Sequence, residues 1–224
     1  MRIVKFEQDF DNTTYWNEFY KKFYIKNESS FCNYIKSKVN KETIVVDLGC
    51  GMGQDTWSFY KDGYIVTGVD QSIVAISHNN KIKAGIDACN SIEFLNIDIS
   101  SEKIFPCFIM NIIEKARTSN RRILVYARFL LHSITEKAEK NILENLSEYL
   151  NEGDLFAAEF RTIEDKDRAK IYKNHYRRYI NSDKLITNLE CKYSFNIIEY
   201  SKGTGFSVLN SEDPFLARII AKKS

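Results

Sequence analysis

Apolar positions follow two rhythms in this chain, and the two alternate along most of its length. Between Tyr15 and Tyr34 the aromatics and Ile25 return at mixed spacings of three and four residues (Tyr15, Phe19, Phe23, and Tyr20, Tyr24), which predicts one or two amphipathic helices. Five short runs then read as strands: Thr43–Asp47 (TIVVD), Tyr64–Asp70 (YIVTGVD), Ile92–Asp98 (IEFLNID), Arg122–Ala127 (RILVYA) and Leu155–Phe160 (LFAAEF). Helical stretches lie between them at Gln54–Lys61, Ser72–Lys83, Phe105–Ser119 and Thr135–Leu150. In the last, Ile142, Leu143, Leu146, Tyr149 and Leu150 share a stripe, and Thr135 stands as a cap ahead of Glu136. This alternation implies right-handed βαβ units and a mainly parallel sheet with helices on both faces. Towards the C-terminus Lys192–Tyr200, Thr204–Leu209 and Pro214–Ala221 also read as strands. A short Asn-Ser-Glu-Asp turn joins the last two, so an antiparallel hairpin is expected to close the sheet.

Composition sharpens this picture at one place. The 224 residues include nine Gly and two Pro, where average usage gives about 16 and about 11, so linker-rich and loop-dominated architectures are excluded. Five of the nine glycines fall between Asp47 and Asp70. Charge adds little: 32 Lys+Arg against 30 Asp+Glu leaves +2, too little for a global field that would hold nucleic acid or a membrane surface. The opening MRIVKFEQDF carries Glu7 and Asp9 and no apolar signal segment, and no apolar run reaches 18 residues, so a cytoplasmic location is expected. Cys32, Cys50, Cys89, Cys107 and Cys191 are odd in number and scattered, as are His78, His132 and His175, a pattern that offers neither a disulfide framework nor a metal site.

The chemistry concentrates in VVDLGCGMGQD (Val45–Asp55), where Gly49, Gly51 and Gly53 stand between the first strand and the first helix. In an open α/β sheet ligands bind at the carboxyl ends of the strands, and a glycine turn there lets backbone N–H groups approach a ligand closely. The third glycine arrives one position too early for the dinucleotide fingerprint G-x-G-x-x-G, which argues against a nicotinamide cofactor. Asp70 ends the second strand, about 20 residues on, where a carboxylate accepts hydrogen bonds from ribose hydroxyls. Asp98 ends the third and can accept one from an adenine amino group. Aspartate is also a common turn former, so each acid has an ordinary structural role open to it.

VVDLGCGMGQD, then VTGVD, then IEFLNIDIS resemble the first three motifs of the class I S-adenosylmethionine (SAM)-dependent methyltransferases. The resemblance implies an α/β fold: a Rossmann-like, doubly wound, mainly parallel seven-stranded sheet with a C-terminal antiparallel hairpin. Residues 1–42 would then form an N-terminal helical cap and residues 43–224 the SAM-binding domain, with a lid-like insertion at about 163–190. It also implies that Asp47 and the loop Gly49, Cys50, Gly51 and Gly53 border the methionine end of the cofactor, with Asp70 at the ribose, Asp98 near the adenine, and Gln71 and Ile99 as further cofactor-binding residues. Asp47 can alternatively hold the turn itself, and Asp55 can serve the start of the following helix. The aromatic N-terminal segment is similar to helices that close over the cofactor in small-molecule members, with Tyr15, Trp16 and Tyr20 facing the pocket.

Methyl transfer is an in-line displacement that depends on alignment in a dry site, so the cofactor motifs leave the acceptor open. Arg128 and Arg161 fall at the ends of the fourth and fifth strands, where two guanidinium forks suit a phosphate, phosphonate or carboxylate. A salt bridge, for example with Glu159, is their alternative role. His175 and Arg178 of HYRR add candidates for the acceptor site, and His132, with Tyr126 as a substitute, is the candidate base for an acceptor hydroxyl. The amino-methylating signature, Asn or Asp followed by Pro-Pro and an aromatic, is missing after strand four, which favours O-methylation of a small molecule over methylation of a DNA base. YARFLLHSI, EFRT, HYRR and EDPFLARII are similar to a branch of small bacterial methyltransferases associated in part with surface-polysaccharide decoration, which implies an acceptor in capsule assembly. The expected protein is therefore a SAM-dependent O-methyltransferase of a small anionic acceptor, with no metal, membrane or nucleic-acid partner. An RNA methyltransferase and a non-catalytic SAM-binding protein are the rival readings.

Overall fold

The computed structural model describes residues 12–23, 27–86, 91–171 and 175–224. Tyr24 and Ile25 of the aromatic repeat, Glu7, Asp9 and Cys89 lie outside them. Seven strands form one sheet: β1 (Ile44–Leu48), β2 (Ile65–Asp70), β3 (Ile92–Asn96), β4 (Ile123–Arg128), β5 (Leu155–Arg161), β6 (Phe195–Gly203) and β7 (Leu216–Lys223). Their order is β3-β2-β1-β4-β5-β7-β6, parallel except for β7, which runs antiparallel to both β5 and β6. Strand order reverses between β1 and β4, and the carboxyl ends at that switch point are where an open α/β sheet leaves a crevice.

The helices are α1 (Asn12–Tyr20), α2 (Ser30–Lys36), α3 (Gln54–Lys61), α4 (Ile73–Ala84), α5 (Ile104–Thr118), α6 (Glu136–Tyr149) and α7 (Ser182–Cys191). Their caps follow from sequence: the hydroxyls of Ser29, Ser72 and Thr135 accept hydrogen bonds from backbone N–H groups in the first turns of α2, α4 and α6. The stripe of α6 buries Ile142, Leu143 and Leu146 against one face of the sheet, together with Phe105, Ile109 and Ile112 of α5. On the other face Phe31, Cys32 and Ile35 of α2 pack with Phe59, Tyr64 and Tyr126. The two expected N-terminal helices thus separate, because α2 belongs to the core whereas α1 buries none of its residues fully. Among the described residues no helix is long and apolar enough to cross a membrane.

Two sequence expectations are corrected. Thr204–Leu209 is not a strand: the hairpin pairs β6 with β7, and residues 204–215 connect them. The apolar alternation there is overridden by polar ties, with Gly205 N donating to Asp213 Oδ1 at 2.7 Å and the Phe206 carbonyl accepting from Arg218 at 3.0 Å. Within the segment expected as a lid-like insertion, residues 182–191 form α7, which lays Leu185 and Leu189 into the main core as the crossover to β6.

Candidate functional site

A cavity of about 870 Å³ opens at the strand carboxyl ends, within the roughly 300–1,000 Å³ usual for ligand sites. Its floor is the turn after β1. Gly49 N and Cys50 N both donate to Val69 O, at 2.8 and 3.0 Å, which ties the turn to β2. Gly51 holds φ at +51°, and a Cβ there would stand 2.6 Å from the hydroxyl of Tyr20, so the position needs glycine for both conformation and approach. Asn79 of α4 secures the same residue by donating to Gly51 O at 2.9 Å.

Asp70 ends β2 and lines the cavity. One carboxylate oxygen accepts from Gly51 N at 2.9 Å and the other from Ser72 N at 2.8 Å, and burial pushes its pKa up to about 6 against these two bonds. Gln71, Asp98 and Ile99 line the cavity too, Asp98 with one oxygen turned back to Ser100 N at 2.9 Å. The surrounding wall comes from α1, where Tyr15, Trp16 and Tyr20 line the cavity and Tyr15 and Trp16 lie against His175 at 5.0 and 5.5 Å between rings. Helix α1 is tied to the strand ends by Asn12 Nδ2 to Ser133 O at 3.0 Å and by the Ser72 hydroxyl to Asn17 Oδ1 at 2.7 Å. Asn12, Asn17 and Asn79 were invisible to sequence reasoning, since an isolated Asn in a helix carries no signal of what stands opposite it.

Asp47 and Gly53 do not line the cavity. Asp47 accepts from the Thr56 hydroxyl at 2.6 Å beneath the turn, and Gly53 caps α3 at φ +77°. Burial, with Asp55 and Asp70 nearby, pushes Asp47 up to about 7 from its ordinary 3.8, although the Thr56 bond works the other way. The folded protein therefore keeps a proton that the unfolded chain releases near pH 4. Stability carried by this proton is complete below that pH and is lost as pH rises towards 7, a change on the order of a few kcal/mol. Melting scans at pH 5 and pH 8 are expected to show a lower midpoint at pH 8, and Asp47→Asn to remove more than half of the difference. An unaltered pH dependence in the variant would contradict this origin.

Several expected roles are corrected at the acceptor end. Tyr126 is fully buried, outside the cavity lining, and its hydroxyl donates to Asp55 at 2.7 Å; Asp55 also accepts from Ser29 N and Oγ, so these residues lock α2 to α3. Arg128 and Arg161 both reach the cavity, but their guanidiniums are engaged. Arg161 pairs with Asp165 at 2.7 Å and with Glu212, and Arg128 pairs with buried Glu159 at 3.1 Å, stacks on Phe129 at 4.3 Å and donates to Ser207 at 3.0 Å. Glu159 also pairs with Arg218 at 2.7 Å, so two arginines share one carboxylate, and Asp55 is a further negative neighbour of Arg128. Arg178 is outside the lining, bound to Glu139 at 2.5 Å and to the carbonyls of Leu131 and Ile134. His132 lines the cavity, but its Nδ1 already accepts from Arg161 N at 3.2 Å, and burial with the nearby arginines holds its pKa well below the usual value. A base with its lone pair so occupied cannot take a proton from an acceptor hydroxyl.

The family model described as tellurite resistance protein TehB matches residues 12–154. The chain belongs to that family. Among solved structures, this TehB-family chain is similar to TehB from Haemophilus influenzae (TM-score 0.64, 16% identity, 95% of this chain and 67% of that one). The glycopeptide N-methyltransferase MtfA in complex with SAM is similar at TM-score 0.63 and 14% identity, over 88% of this chain and 95% of that one. A structure titled for conversion of a disulfide bond into a thioacetal group during echinomycin biosynthesis reaches TM-score 0.68 at 15% identity, over 95% and 92%. No curated protein sequence matches the chain significantly. The fold is thus that of the class I SAM-dependent methyltransferases, and the cofactor bound in that fold in MtfA is SAM. The residues fit it: a glycine turn open to the cavity, a buried carboxylate beyond it and an aromatic wall. The differing names of these relatives also show that the fold leaves the acceptor undetermined.

Proposed function

We propose that this chain transfers the methyl group of SAM to an oxygen of a small anionic acceptor, with residues 12–20 covering the bound cofactor. SAM supplies an electrophilic methyl on a sulfonium sulfur. Asp70 would accept from the ribose hydroxyls, Gln71, Asp98 and Ile99 would border the adenosine, and Tyr15, Trp16 and Tyr20 would exclude water from the sulfonium side. Asp47 and Gly53 would act through the turn they brace, Gly49, Cys50 and Gly51 through direct contact. The observation that carries the anionic reading is the Arg128–Glu159–Arg218 cluster, two guanidiniums on one carboxylate, of which Arg128 lines the cavity. A carboxylate, a phosphate ester or a phosphoramidate-bearing sugar precursor such as capsule assembly uses would suit it.

The test is methyl transfer from radiolabelled SAM to matched panels of carboxylic acids, phosphate esters, neutral alcohols and amines. Labelling confined to the first two panels is expected. Labelling confined to amines or alcohols would overturn the anionic reading while leaving the cofactor assignment intact.

A further inference from the structure

Two histidines at the acceptor end have their tautomers set by partners that can only donate. The backbone N–H of Arg161 donates to His132 Nδ1 at 3.2 Å, so in the neutral ring the proton sits on Nε2. The guanidinium of Arg177 lies 2.9 Å from His175 Nε2, and because a guanidinium has no acceptor, His175 Nε2 accepts and Nδ1 carries the proton. Both rings stay neutral. Burial and Arg161, Arg177, His175 and Arg178 press His132 well below its usual range, while burial, Arg177 and Arg161, against Glu212, press His175 down to about 4.

Each ring is left with one N–H that the protein does not use. His175 Nδ1 is buried without a hydrogen-bond partner among the described residues, and His132 Nε2 makes no hydrogen bond to any of them. Both residues line the cavity, and their segments are joined by Arg178 N donating to His132 O at 2.7 Å. His175 Nδ1–H is a buried donor without an acceptor, which is costly, and His132 Nε2–H is a second unused donor on a residue lining the same cavity, so this end is prepared for an acceptor from outside. We propose that His132 Nε2–H and His175 Nδ1–H form a two-donor cradle for the non-reacting oxygens of an acceptor carboxylate or phosphate, and that neither ring serves as a base.

This deepens the anionic reading above and rests on it. An oxygen anion held by its other oxygens forms the new O–C bond to the methyl as the C–S bond breaks and its electron pair returns to sulfur. The negative oxygen and the positive sulfonium cancel, so no proton has to leave and no general base is required. The cradle orients the acceptor, and Arg128 of the Arg128–Glu159–Arg218 cluster lines the same cavity.

The test is a long-range proton–nitrogen spectrum of the imidazoles in the full chain, assigned with His132→Gln and His175→Asn, followed by titration of the protein saturated with S-adenosylhomocysteine (SAH) by acetate and by methyl phosphate. Expected are a neutral Nε2–H ring for His132 and a neutral Nδ1–H ring for His175 between pH 5.5 and 8, with both N–H signals moving on anion addition. Gln at 132 and Asn at 175 keep a donor near the same place and are expected to hold methyl phosphate within about three-fold of the natural chain. His132→Leu is expected to lose tenfold or more. A charged ring or the opposite tautomer at either histidine, or equal anion affinity in His132→Leu, overturns the cradle. SAH stabilisation of the same samples separates the outcomes: its presence with silent histidines sinks this inference alone, and its absence in the natural chain sinks the cofactor reading beneath it.

Discussion

Glu159→Leu is expected to lower stability by about 3–5 kcal/mol, because it removes the one carboxylate between two largely buried guanidiniums. Glu159 is fully buried, and Arg128 and Arg218 contact its two oxygens at 3.1 and 2.7 Å from opposite neighbours. Without it both cations stay in a site with little water, and the ties that they hold to Ser207, Phe206 and Ser30 have no anchor. At this chain length the thermal midpoint should fall by roughly 6–20 °C. Glu159→Gln keeps an acceptor without the charge and should fall between the two. A loss under about 1 kcal/mol in Glu159→Leu would mean that the pair contributes only surface-like electrostatics.

Gly51→Val is expected to weaken SAH binding by at least 100-fold with the fold retained. The position holds a left-handed φ of +51°, which costs a β-branched residue on the order of 1–3 kcal/mol. Its side chain would also enter the cavity between Tyr20 and Asp70, whose carboxylate is set by the Gly51 N–H. Calorimetric titration reads the affinity, and circular dichroism checks the fold. An SAH affinity within three-fold of the natural chain would remove the glycine turn from the cofactor site.

The sheet and its crevice were legible because they are encoded locally. Three β-branched runs ending in Asp47, Asp70 and Asp98, with glycines directly after the first, state both the strands and the end at which a ligand binds, and α3 spans the expected Gln54–Lys61. Helix α7 was missed because Leu185, Ile186 and Leu189 make only a short stripe in a charged segment. The false strand at Thr204–Leu209 shows the converse, since its alternation is real but its backbone groups are claimed by Asp213 and Arg218.

The acceptor end was least legible, because its chemistry depends on pairings far apart in sequence. Arg161 looked like a fork for a ligand, but Glu212, 51 residues on, occupies one arm. His132 looked like a base, but a backbone N–H from β5 fills its Nδ1. Residue type at a strand end announces that chemistry happens there, and only the neighbours decide which atom is still free to do it.

The central claim, that the glycine turn and Asp70 form a SAM site, is tested most directly by melting the protein with SAH beside NAD. A ligand at about 100 times its dissociation constant stabilises by roughly 2.7 kcal/mol, which at this size raises the midpoint by roughly 5–10 °C. That shift is predicted with SAH, none with NAD, and none with SAH in Gly51→Val. A clear response to NAD with none to SAH would contradict the account.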